Sequence, residues 1–168
     1  MWRAQESPAL PAQMVSILRQ EVDSMVRVIF LLAQEDCAYR NELISVAVNG
    51  QRWMAPGFRQ PVTERQMVDL ADRLNGWTRS VYHYGCAFIH LSNAHDHGAR
   101  DPFLSLPDVE RGAILVHTRH HHQGPCQPSP TFRDLVAFLP VVFEKIASNL
   151  ECYLKYLEKG RNLDGSPP

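Results

Sequence analysis

The chain is 168 residues long, 45% hydrophobic and 21% charged, with a formal net charge of −1 at neutral pH. The hydrophobic fraction excludes an intrinsically disordered chain, and the near-zero charge excludes a globally basic nucleic-acid footprint. The longest apolar run, Val28 to Ala33, falls far short of the ~20 residues a membrane span needs.

The N-terminus, Met1 to Pro8, has no apolar core of a secretory signal, so the expected location is the cytoplasm and no membrane is expected as a partner. The four cysteines, Cys37, Cys86, Cys126 and Cys152, are widely spaced and form no C-x-x-C pair. Reduced, mostly buried thiols are the expectation, and neither a zinc ribbon nor a redox motif is indicated. Arginine outnumbers lysine 14 to 3. GC-rich coding gives such a bias, whereas phosphate recognition calls for a local arginine cluster, and none is visible.

Residues 1–10 read as a flexible start, 11–160 as a single helical domain and 161–168 as a flexible tail. From Pro11 to Asp36, Leu18, Val22, Met25, Ile29 and Leu32 recur at spacings of four and three, which predicts one stripe of an α-helix. Cys37 to Val48 suits a short helix. The Asn49-Gly50 pair also permits a hairpin that pairs Leu43 to Val48 with Gln51 to Met54; helix is preferred. Asn49 to Pro61 is a loop.

Thr63-Glu64-Arg65-Gln66 matches a capping box, in which a Thr hydroxyl and a Gln side chain each satisfy a backbone N–H of the other residue. Beyond it Met67, Leu70, Leu74, Trp77, Val81, Tyr84, Phe88 and Leu91 alternate spacings of three and four. A long continuous helix through Leu91 is expected. Ser92 to Leu106 reads as a polar connection ending in a Ser105 cap, followed by a short helix to about His121 and a stop at Gln123-Gly124-Pro125. Thr131 to Lys159 carries the last seam: Phe132, Leu135, Leu139, Val142, Ile146, Leu150, Tyr153 and Leu157. Pro140 should kink it or split off a short lead-in, and Gly160 should stop it. The expected fold is all-α, an up-down bundle of four to five helices with long third and last helices.

All eight histidines fall between His83 and His122. Arg79, His83 and His90 form a polar stripe beside the third seam and are candidate substrate-binding residues. His117 and His121, four apart on a helix, can share a metal. With His90 they would make a three-histidine centre for zinc or another divalent ion, with Asp96 as a further ligand or supporting partner. Histidines at a helix C-terminus also serve simply to complement its dipole. A metal-free chemistry would use Arg111 and His117, six residues apart, the first holding a phosphate while the second moves a proton. Arg40-Asn41 reads as a solvated helix face.

The stretch Trp77 to Ser92, with His95-Asp96, Asp101-Pro102-Phe103 and Val142 to Glu151, resembles small bacterial proteins of the kind carried on mobile elements, to which no activity is assigned. The helical pattern with Arg111-x5-His117 is more distantly similar to HEPN domains. That resemblance implies a helical module of toxin or phage-defence systems, often a homodimer. It also implies RNA as a partner, and metal-independent cleavage with Arg111 and His117 as the catalytic pair and no cofactor. A non-enzymatic helical interaction or dimerisation protein, and a histidine-based metal binder or hydrolase, are the alternatives.

Overall fold

A computed structural model describes residues 9–57, 60–75, 79, 82, 101 and 103–163. The fold is all-α. Helices α1 (Ala9–Leu32), α2 (Cys37–Val48) and α3 (Glu64–Asn75) are followed by a 3-10 turn (Phe103–Ser105) and by α4 (Asp108–His122), α5 (Phe132–Val136) and α6 (Leu139–Glu158). No described helix is long and apolar enough to cross a membrane. By contacts the chain divides into two compact units, Met1–Val22 with Ser80–Ile146, and Asp23–Arg79 with Ala147–Pro168.

The stripe on α1 is the core one: Leu18, Val22, Met25, Ile29 and Leu32 are all buried. The helix stops at Leu32 rather than at the expected Asp36, because Asp36 caps the next helix. Its Oδ1 accepts from the backbone N–H groups of Ala38 at 2.8 Å and Tyr39 at 3.3 Å, the donors a helix start leaves unsatisfied.

α2 is the preferred helix and not the hairpin. The Asn49-Gly50 pair that a hairpin would use closes it instead. Gly50 takes φ +67°, and the N–H groups of Gly50 and Gln51 donate to Ala47 and Val46 at 3.0 Å each, a Schellman closure in which glycine carries no Cβ penalty. The loop behind it folds back with a bridge between Met54 and Pro61. Trp53 is buried and stacks on Phe30 with ring centroids 5.7 Å apart.

The expected capping box opens α3: the Thr63 N–H donates to Gln66 Oε1 at 2.8 Å, and the Gln66 N–H to Thr63 Oγ1 at 3.3 Å. Its buried residues are Met67, Val68 and Ala71, whereas Leu74, assigned to the seam by spacing, is exposed. Beyond Asn75 the expected rod lies outside the described residues, save that Arg79 and Tyr82 are helical. The Arg79 N–H nonetheless donates to Asp72 Oδ1 at 3.1 Å.

In the first unit, Asp101 ties the 3-10 turn to the segment that opens at Phe132. Its Oδ1 accepts from Phe103 and Leu104, and its Oδ2 accepts from the Phe132 N–H at 2.9 Å. Ser105 is not the expected helix cap. It lies in the 3-10 turn, its hydroxyl donating to the Asp101 carbonyl, and Pro107 holds the cap position of α4. Gln123 ends α4 in the left-handed conformation, within the expected stop.

Thr131 and Asp134 form a second capping box that opens α5. The main helix α6 starts at Leu139, so Pro140 sits in the first turn, where its missing N–H is not needed. Leu135, Leu139, Val142 and Ile146 are buried as the seam predicts. α6 ends at Glu158 and is closed by Gly160 (φ +64°), with the Arg161 N–H donating to Tyr156 and that of Gly160 to Leu157, the closure seen after α2.

Candidate functional site

The residues with chemical potential in the described chain concentrate on α4. Its first turn carries Asp108 and Glu110, and its last turn carries Arg119, His120, His121 and His122. Long side chains on a helix lean toward its N-terminus, and Arg111 does so. Its guanidinium donates to the carbonyls of Leu104 at 2.9 Å and Leu106 at 3.1 Å and pairs with Asp108. These bonds tie down the turn ahead of α4. His117 is six residues, about one and two-thirds turns, further on, buried at 4% exposure. Its ring contacts those of His121 and His122, with centroids 4.8 Å and 5.6 Å away. Arg111 thus faces one end of α4 and His117 joins the histidines at the other.

Burial pushes the His117 imidazole down to about 4, and the charges of His121, His122 and His120 add to the effect. It is therefore neutral at physiological pH. His121 and His122 are lowered too, first by desolvation and then by neighbouring histidine and by Lys145 on α6. Arg119 holds the loop after the helix, its Nε donating to the Pro125 carbonyl at 2.9 Å and its Nη2 to that of Gln127 at 2.8 Å.

One face of the other half of α4 is apolar and exposed to solvent. Val109 is 84% exposed and Val116 68% exposed. Gly112 and Ala113, which lie between them on the same face, are also exposed. A Cβ at Gly112 would meet nothing within 4 Å.

The remaining sequence candidates divide. Arg79 is helical, but its guanidinium lies 2.9 Å from Asp69 Oδ1 and 3.4 Å from Asp72 Oδ2, so two carboxylates offset its charge. His83 and His90 lie outside the described residues, as do His95, Asp96, His97 and Cys86. Of the proposed metal set, His117 and His121 are adjacent. Among the described residues no three His, Cys, Asp or Glu side chains are arranged to hold a metal ion as they stand. Cys37, Cys126 and Cys152 carry free thiols but are exposed rather than buried.

Two arginines that sequence reasoning did not single out, or read otherwise, are buried. Arg40 is not on a solvated face: it is 3% exposed. Its guanidinium donates to the carbonyls of Gln34 and Arg161 and to Asn162 Oδ1. Arg161 and Asn162, assigned by sequence to the flexible tail, are held by that arginine. Arg19, 8% exposed, donates to the Tyr82 hydroxyl at 2.8 Å, with its guanidinium carbon 4.1 Å from that ring's centroid. No local signal marks either burial, since the partners include Tyr82, 63 residues from Arg19, and Arg161, 121 residues from Arg40.

The class that fold and site define is an all-α protein with a histidine-bearing helix that also exposes an apolar face. No protein-family model, no curated protein and no solved structure matches the chain.

Proposed function

We propose that this protein is a non-enzymatic helical interaction module that self-associates along α4 as a homodimer. The observation that carries the reading is the exposed stripe Val109, Gly112, Ala113 and Val116. Val109 and Val116 flank the small pair on one exposed face, and a Gly-Ala centre lets two backbones approach closely. The stripe is symmetric about its small residues, so in an antiparallel pair Val109 meets Val116 of the second copy. The same pairing sets the acidic first turn of one α4 beside the basic last turn of the other and aligns their dipoles favourably.

The HEPN-like ribonuclease reading competes with this one. It needs the Arg111 guanidinium for substrate, and three bonds to Leu104, Leu106 and Asp108 occupy it. Sedimentation velocity over a dilution series tests the proposal. The expected species has twice the 19.1 kDa chain mass, and Gly112→Leu and Val116→Glu each convert it to monomer with an unchanged helical spectrum. A parent that is monomeric throughout, or a dimer indifferent to both substitutions, overturns it. RNA cleavage that disappears in both Arg111→Ala and His117→Ala would establish the ribonuclease reading in its place.

A further inference from the structure

We propose that Cys37 is an oxidation site, its sulfur modified by hydrogen peroxide and the resulting oxyanion held by the buried Arg40 guanidinium. Two independent observations meet there. Cys37 is the first residue of α2 and carries a free, exposed thiol, open to a small oxidant from solvent. One turn further on, Arg40 is 3% exposed, and its Nη2 lies 3.8 Å from Cys37 Sγ. The other acceptors of that guanidinium are neutral: the carbonyls of Gln34 and Arg161 and the Asn162 side-chain oxygen. Its Nε is buried and has no acceptor. Among the described residues no carboxylate forms an ion pair with it. A buried cation with an idle N–H and no counter-charge is a preformed seat for an anion, and Cys37 Sγ is an atom beside it that can become one.

The sulfur attacks one oxygen of hydrogen peroxide. An S–O bond forms, the O–O bond breaks, and the second oxygen leaves as water with the thiol proton. Sulfur gives up two electrons and the peroxide takes them. A second equivalent of peroxide carries the sulfenic acid to the sulfinic acid in the same way, and the sulfinate is an anion at neutral pH. It presents charged oxygens beside Arg40 at the start of a helix, where negative charge is favoured. Asp36, the cap of the same helix, opposes it. That carboxylate is exposed and screened by water, whereas the guanidinium is buried and screened much less. Arg40 also holds Gln34 beyond the end of α1 and Arg161 and Asn162 beyond the end of α6, so the new ion pair fixes all three more firmly.

The test exposes reduced, untagged full-length protein to hydrogen peroxide over a time course, with dimedone trapping of sulfenic acid and peptide mass mapping. Cys126 and Cys152 are also exposed thiols, neither hydrogen-bonded to an arginine, and serve as internal controls. Cys37 should oxidise at least about fivefold faster than either and end as sulfinate, with a mass gain of two oxygens. The oxidised protein should melt about 2–4 °C higher than the reduced one, and Cys37→Ser should lose that rise. Arg40→Gln, which removes the charge and keeps an amide donor, should bring the Cys37 rate down to that of Cys126, with the fold checked by circular dichroism. If Arg40→Gln does not fold, the order of rates and the melting shift in the parent decide. The proposal is overturned by Cys37 oxidising no faster than Cys126, by a melting temperature unchanged or lowered on oxidation, or by a folded Arg40→Gln variant that keeps the parent's rate.

Discussion

The two halves of α4 invert the usual relation between polarity and burial. Val109 and Val116 stand 84% and 68% exposed, while one and two residues past Val116 the polar His117 and Thr118 are 4% and 0% exposed. Burying a polar group costs free energy unless it is satisfied, while a valine left in water forgoes the gain of burial. For Thr118 the cost is met locally, its hydroxyl donating to the Ile114 carbonyl at 2.7 Å. For His117 it is limited by keeping the ring neutral. The valines forgo that gain in the single chain, which is why the first half of the helix is read as a contact surface.

The largest expected effect sharpens the buried half. His117 titrates near 4 in the fold and near 6.5 when unfolded. Between those values the unfolded chain binds the extra proton, so stability is fully present above pH 6.5 and is lost as pH falls toward about 4. The loss reaches up to about 3 kcal/mol. His121 and His122 act in the same direction. Urea melts of metal-free protein at pH 7.5, 5.5 and 4.5 measure this. His117→Leu should flatten most of the slope, and an unchanged slope would show that the ring is not desolvated.

Removing the Arg111 guanidinium in Arg111→Ala should cost about 1–2 kcal/mol at neutral pH, since two carbonyls ahead of α4 lose a charged donor. A loss of activity with no loss of stability would instead mark it as a substrate-binding group. Thr118→Val should cost about 1 kcal/mol, the price of one buried hydroxyl bond. In the exposed half the sign reverses. Gly112→Ala meets no neighbour and should stabilise the monomer by about 0.5–1 kcal/mol through helix propensity. Destabilisation there would mean that the face is covered in the monomer. The smallest change is expected for Val109→Ser, within about 0.5 kcal/mol in thermal or urea melts at concentrations where the chain is monomeric, with self-association weakened in the same sample.

Much of the fold is legible from short-range chemistry. Asn49-Gly50 could close a helix or turn a hairpin, and the choice fell to the helix-forming run before it. The burial of Leu18, Val22, Met25, Ile29 and Leu32 follows from spacing alone. The seam of α3 was less legible: Met67 is buried, but Val68 and Ala71 take the positions that spacing gave to Leu70 and Leu74. A helical period tells which residues share a face, but a face as wide as this leaves the angle of burial to the neighbours. The candidate site was half legible. The proximity of His117 and His121 is a helix spacing, whereas the binding of Arg111 to the carbonyls ahead of α4 depends on how the 3-10 turn approaches the helix.

The sequence by itself determined several helix starts and stops. The box at Thr63 and Gln66, the start of α6 one residue before Pro140 and the stop at Gly160 are interactions within one or two turns of chain. Only the tertiary structure decided the fate of the charges. Arg40 is buried on acceptors that include Arg161 and Asn162, more than 120 residues away, while Arg79 remains half-exposed between two aspartates. An arginine's burial is set by whether distant backbone oxygens and carboxylates arrive to replace water, and no local pattern encodes that arrival.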